Sequence, residues 1–252
     1  PCTFFILNVY EVPARISLSR NQNTELEAAK AESEKGLQKI LQGLNFRQEN
    51  ENHQFETISR NKDLAEAMQE CIDTHNIDLI LMVSRGENVS INAAFENEIS
   101  EVTEKVENCP FLVLPELMQE LPESNREIVF PTTFKFAFKN KDVVALIDMT
   151  IYLNASIRVL YIDTDGRPLT TEQEQNRETL KTHFAEVDFS FHKLTQTTAT
   201  MGVHLFIESR ASNFLALYKR KQGFFRKLFP KRIKEDIDFN PKVPVLILKE
   251  LE

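Results

Sequence analysis

A repeat restricts this chain more than any single motif does. CPFLVLPE at 109–116 can be laid over VPVLILKE at 243–250, and the segments leading to each alternate apolar runs with helical stripes in one order. Self-similarity on this scale decides the fold class, because each copy must bury the same faces in the same way.

In the first half, TFFILNVY at 3–10 is apolar, aromatic and β-branched, and reads as a buried strand. TELEAAKAESEKGLQKILQGL sets Leu26, Ala29, Leu37, Ile40 and Leu41 on one helical stripe. QFETISR reads as a strand, and NKDLAEAMQECIDTHN as a helix with Leu64, Ala67, Met68, Cys71 and Ile72 inward and Asn61 as its N-cap. A strand at 77–83, a helix over about 92–107 and a strand at 110–116 follow. The second half repeats the programme. EIVFPTTF is a strand, and NKDVVALIDMTIYLN a helix capped by Asn140; SIRVLYID is the next strand. Thr171 and Glu174 have capping-box spacing at the start of a helix. VDFSFHKL, ATMGVHLFIESR, NFLALYKR and VPVLILKE then read as strand, short helix, strand and strand.

Strand–helix alternation of this kind predicts right-handed crossovers and a parallel sheet covered on both sides. The predicted class is α/β: two tandem Rossmann-like open parallel sheets with helices on both faces. The expected domains are residues 1–116 and 127–252, joined by a linker at 117–126. The strand and helix at about 127–154 have no counterpart before Pro1, so the first domain is expected to lack its first strand–helix unit.

Composition narrows the function classes. Of 252 residues 42% are hydrophobic, and only six are glycine, which argues against a glycine-rich binder. No apolar run approaches a membrane span, and PCTFFILNVYEV has no basic n-region. Cys2, Cys71 and Cys109 are odd in number and scattered, as reduced thiols would be, so a cytoplasmic location is expected. Residues 1–122 carry a net charge of −11 and residues 123–252 a net +3. Two such different electrostatic faces suit different partners.

TFFILNVYEV, THNIDLILMVSRG, TEKVENCPFLVLPE, EIVFPTTF and KVPVLILKE together resemble the universal stress protein family in its tandem two-domain form. The resemblance implies five-stranded parallel sheets that pair through their last strand. It also implies, in the members that bind ATP, a loop of the form G-x2-G-x9-G-[ST] after the fourth strand and an Asp near the end of the first. Glycine turns and a helix N-terminus bring backbone N–H groups onto phosphates, where a Cβ would hold the anion away.

Laid on that loop, Gly86 takes the first glycine position, Val89 the second and Ile99 the third, with Ser100 as the hydroxyl. Val89 resists positive φ, and Glu96, Glu98 and Glu101 would repel a triphosphate. In the second half FPTTFK matches the family's V-P-x-D-x-S, so Thr133 stands for the Asp and Lys135 for the Ser. The second loop, YKRKQGFFRKLFPKR, keeps one glycine, Gly223. The expectation is a retained fold with degenerate nucleotide loops, remnants at Gly86, Ser100 and Thr133, and no resident cofactor. ATP or AMP bound through strand-end backbone groups is the alternative.

The basic segment holds Lys219, Arg220, Lys221, Arg226, Lys227, Lys231 and Arg232 with phenylalanines between them. It reads either as an amphipathic helix with solvated cations or as a patch for an anion or an acidic partner. The histidines lack metal-ligand spacing. Asp163 and Asp165, beside Gly166, read as turn formers at a strand end where α/β ligands bind. No nucleophile elbow is present, so a non-enzymatic module is expected. Its partners would be other proteins, with neither nucleic acid nor membrane. Internal pairing would place Phe111 and Val113 against Val243, Val245 and Ile247, and a homodimer is a further expectation.

Overall fold

The computed structural model describes residues 1–11, 22–46, 50–84, 98–118, 120–164, 166–220 and 243–251. The chain forms two compact units, Pro1–Asn76 and Ile77–Glu252.

In the first unit, β1 (Cys2–Val9) and β2 (His53–Arg60) form a parallel pair running from Cys2 opposite His53 to Val9 opposite Arg60. Helices α1 (Gln22–Asn45) and α2 (Leu64–His75) bury Leu37, Ala67, Cys71 and Ile72. One polar seam joins α1 to both strands: Asn8 Nδ2 of β1 donates to Ser33 Oγ of α1 at 2.7 Å, and that hydroxyl lies 2.6 Å from Ser59 Oγ of β2. Asp63, not Asn61, caps α2, accepting from Ala65 N at 3.0 Å. The helix starts at Leu64, so a cap two residues earlier cannot reach its free N–H groups.

The second unit contains β3 (Ile80–Ser84), α3 (Glu98–Lys105), β4 (Phe111–Pro115), β5 (Arg126–Thr132), α4 (Asn140–Tyr152), β6 (Ala155–Asp163), α5 (Thr171–His183), β7 (Phe189–Thr195), α6 (Ala199–Arg210), β8 (Phe214–Lys219) and β9 (Val245–Lys249). Its strands form one seven-stranded sheet in the order β3-β4-β9-β8-β5-β6-β7. Every pair is parallel except β4–β9, where Phe111 faces Ile247, Leu112 faces Leu246 and Val113 faces Val245. The α/β, Rossmann-like class is as read from the sequence. The compact units divide at 76/77, a different cut from the repeat boundary at 117–126, because one follows strand pairing and the other the order of elements.

Parity along the strands separates two buried faces. Ile128, Phe130, Ile157, Val159, Phe214 and Ala216 share a core with Val143 and Leu146 of α4 and Leu180 of α5. Val129, Leu160, Leu215, Leu217 and Ile247, of opposite parity, are also buried. That second face meets α6, whose Gly202 lies so close that an added Cβ would sit 2.9 Å from Ile162 Cδ1.

In this unit two caps sit one residue earlier than the sequence suggested. α4 is entered from Lys139, whose N–H donates to Asp142 at 3.1 Å. α5 is capped by Thr170, reciprocally bonded with Gln173, in place of the Thr171–Glu174 pair. Both offsets follow from the φ, ψ of the preceding residue, which stays extended at Lys139 and Thr170.

Candidate functional site

The chain runs β5, β6, β7 outward on one side of the sheet, then returns to lay β8 on the other side of β5. The carboxyl ends of β5 and β8 therefore flank the point where strand order reverses, where open α/β sheets place ligands. A cleft of ≈ 290 Å³, counted out to solvent, opens there between Pro131, Thr132, Thr133 and Lys135 on one side and Tyr218 and Arg220 on the other.

The loop after β5 is tied down by its own bonds. Phe134 takes φ 54°, an unusual conformation for a bulky residue, and is 3% exposed. Its N–H donates to Thr132 Oγ1 at 3.2 Å, and its carbonyl accepts from buried Asn176 at 2.9 Å. Gln173 Nε2 donates to the Thr133 carbonyl at 2.8 Å. The Phe134 ring packs against Tyr161 and Phe191 at 5.6 and 5.9 Å.

Arg220 and Phe136 close the mouth. The guanidinium carbon stands 3.8 Å from the ring centroid, and Arg220 Nε lies 3.6 Å from Glu250 Oε2. Below them Phe138 packs on Tyr218 at 4.8 Å, and the Tyr218 hydroxyl donates to buried Asp142 at 3.0 Å. Burial and the Asp142 carboxylate together push the Tyr218 hydroxyl above its ordinary range. Asp142 also accepts from Leu251 N at 3.1 Å, so one carboxylate joins the start of α4, the end of β8 and the tail.

The sequence-predicted site residues separate in space. Thr133 lines the cleft beside Lys135 and Arg220. Lys219 turns to the opposite face, where its Nζ donates to the Thr103 carbonyl at 2.5 Å. Ser100 belongs to α3, with its side chain outside the described part. Ile99, which holds the third glycine position, is a buried core residue of that helix. Gly86, Val89, Gly223, Asp165, Lys221, Arg226, Lys227, Lys231 and Arg232 lie outside the described residues. Asp163 accepts from Gly166 N at 2.7 Å and pairs with Lys193 at 2.9 Å, closing a turn.

Two ionic clusters escaped the sequence reading. Lys249 is 7% exposed, and its Nζ donates to the carbonyls of Thr103 and, at 2.9 Å, Val106. Lys219 and Lys249 are strand partners and meet on one helix end, where cations are favoured. Burial, aided by the neighbouring Lys219 charge, brings Lys249 down to about 7, and burial brings Lys219 to about 8. At the other end of the sheet, Glu127 accepts from Arg158 at 2.8 Å, from Arg210 at 2.9 and 2.5 Å, and from Ser212 at 3.2 Å. Burial would raise the Glu127 carboxyl, but the Arg210 and Arg158 hydrogen bonds outweigh it and hold the group at about 2. The available signal was a charged residue inside an apolar strand: Glu127 in EIVF and Lys249 in VLILKE.

Among the described residues, no group of three or more His, Cys, Asp or Glu side chains is placed to hold a metal, and no helix is long and apolar enough to cross a membrane. The cleft offers positive charge from Lys135 and Arg220, and its lining contains neither a histidine nor a cysteine.

No family model and no curated protein sequence matches the chain. Solved structures do. A universal stress protein from Archaeoglobus fulgidus DSM 4304 superposes with a TM-score of 0.65 at 14% identity, covering 99% of this chain and 86% of that one. A candidate universal stress protein from Pseudomonas aeruginosa UCBPP-PA14 gives 0.58 at 16% identity, covering 97% and 92%. A functionally unknown protein from Pseudomonas aeruginosa PAO1 gives 0.57 at 15%, with the same coverage. At such identities the likeness establishes the fold: α/β, of the universal stress protein type.

Proposed function

We propose that the chain is a non-enzymatic stress-response or regulatory module of the universal stress type, working through contacts with other proteins. The observation that carries this reading is the state of the strand-end cleft. Thr133 stands where the resembling family has an acid, and the polar groups around it already hold each other. The Thr133 carbonyl is engaged by Gln173, and Arg220 is stacked on Phe136 beside Glu250. A nucleotide entering here would compete with Phe136 and Glu250 for Arg220, and would meet neither the family's acid nor a second glycine. The degenerate first loop, with Val89 and Ile99 at glycine positions, supports the same view from the sequence.

The second reading is an adenine-nucleotide sensor that holds AMP or ATP with little or no hydrolysis. Lys135 and Arg220 at the switch point favour it, since they supply positive charge where an anion would lie. Native mass spectrometry of protein purified without added nucleotide separates the two. The proposal predicts the bare mass of the chain, and a co-purified adenine nucleotide at near-stoichiometric level would support the sensor instead.

A further inference from the structure

The strand-end cleft carries two cations, Lys135 and Arg220, and Arg220 is paired with the carboxylate of Glu250. Among the described residues Lys135 has no ionic partner, so the lining keeps a positive charge. How Glu250 is held decides what that charge can receive. The backbone around Glu250 is pinned on both sides. Its N–H donates to the Lys219 carbonyl at 3.1 Å, Leu251 N donates to Asp142 at 3.1 Å, and Lys139 Nζ donates to the Leu251 carbonyl at 3.3 Å. The side-chain contact is looser. Glu250 Oε2 stops 3.6 Å from Arg220 Nε, longer than a hydrogen bond, with both side chains 27% exposed. That contact opens by rotation of one side chain while the backbone stays in place.

Arg220 is already oriented for a second carboxylate. Phe136 takes the flat face of the guanidinium, whose carbon lies 3.8 Å from the ring centroid. A stacked guanidinium keeps its N–H donors in the plane of the group, where a carboxylate meets them. Pro131 and Phe136, in the same lining, offer apolar surface to the methylene stem of an acidic side chain.

We infer that the cleft receives an acidic side chain of a partner protein between Lys135 and Arg220, and that Glu250 is a built-in competitor which this side chain displaces from Arg220. Glu250 is the reason for choosing a carboxylate on an extended segment: the chain itself brings one to Arg220 from the end of a strand. A carboxylate asks only for the two cations, as acidic motifs do of arginine clusters. This inference rests on the reading that the chain acts through protein contacts, and adds to it the chemistry of the partner and the residue that tunes its binding.

The probe is a fluorescein-labelled hexaglutamate peptide, titrated into the full chain and followed by anisotropy, with labelled hexaserine as the neutral control. Saturable binding of hexaglutamate alone is expected. Glu250→Gln keeps the side chain's shape but removes the competing charge, and should tighten binding at least about threefold as the binding-competent fraction rises. Lys135→Gln, at an exposed position, should weaken binding at least about fivefold. Glu123→Gln makes the same charge change ahead of β5, a seven-residue strand away from Lys135, so about 20 Å and beyond the Debye length. It should leave the affinity within about 1.5-fold, which separates a local competitor from net charge. Binding untouched by Lys135→Gln, no tightening by Glu250→Gln, equal tightening by Glu123→Gln, or no saturable binding to either wild type or Glu250→Gln would each overturn the inference and leave the protein-contact reading standing. Displacement of the peptide by low-micromolar ATP would overturn both.

Discussion

Glu127 and Lys249 show how one charged residue, placed in an otherwise apolar strand, is held by what the rest of the chain brings to it. Glu127 is held ionised by two arginines, with a folded pKa of about 2 against an ordinary 4.5. Its stabilisation is complete above about pH 4.5 and is lost as pH falls toward 2. Glu127→Gln should cost about 3–5 kcal/mol at pH 7, because Arg158 and Arg210 are left facing each other without their acid. Denaturant titrations at pH 7 and pH 2.5 would show that gap closing as the acid limit is approached. In Lys249 it is the charged form that burial disfavours. Between about pH 7 and its ordinary 10.5 the unfolded chain keeps a proton that the fold has released, so stability rises with pH. Lys249→Met should lower that slope by up to about 1.4 kcal/mol per pH unit, with Lys219 retaining its own share. A slope unchanged from pH 7 to 9.5 would contradict the burial argument. Neither cluster was legible beyond its odd residue type, since the partners of Glu127 come from β6 and α6, and those of Lys249 from the end of α3.

Elements were far more legible than their neighbours in space. Apolar runs and helical stripes depend on local periodicity, so the order of strands and helices could be read from TFFILNVY through VPVLILKE without knowledge of the sheet. Caps were read to within one or two residues, because several polar residues cluster before each helix and only the backbone angle selects among them. Most hydrogen-bonded partnership was hidden: β1 and β2 form a pair of their own, apart from β3 and β4, a distribution that local pattern does not encode. The sheet position of a strand also sets what substitutions cost. Ile247, fully buried between β4 and β8, should lose about 2–5 kcal/mol as Ile247→Ala. Leu81→Ala at the open edge should stay within about 0.5 kcal/mol. Equal losses in chemical denaturation would mean that β3 is covered in solution by something the sheet order does not include.

For the whole molecule, the fold and the fate of the strand-end site have to be kept apart. The likeness to universal stress protein structures covers nearly the entire chain, yet at 14–16% identity it speaks for the fold and leaves the site to its residues. Those residues are Thr133, Lys135, Phe136 and Arg220, and the sequence named Thr133, Lys135 and Arg220 while missing the ring that stacks on Arg220. That contact is invisible in one dimension because Phe136 follows β5 and Arg220 follows β8. On the proposed reading, the loss of two or three charge-assisted hydrogen bonds, each about 1.5–3 kcal/mol, should weaken nucleotide affinity by several decades. The most direct measurement is calorimetric titration of the full chain with ATP and with AMP. No saturable heat is expected up to about 1 mM nucleotide, the concentration matching roughly −4 kcal/mol of binding. Saturable binding in the low-micromolar range, at one nucleotide per chain, would contradict it.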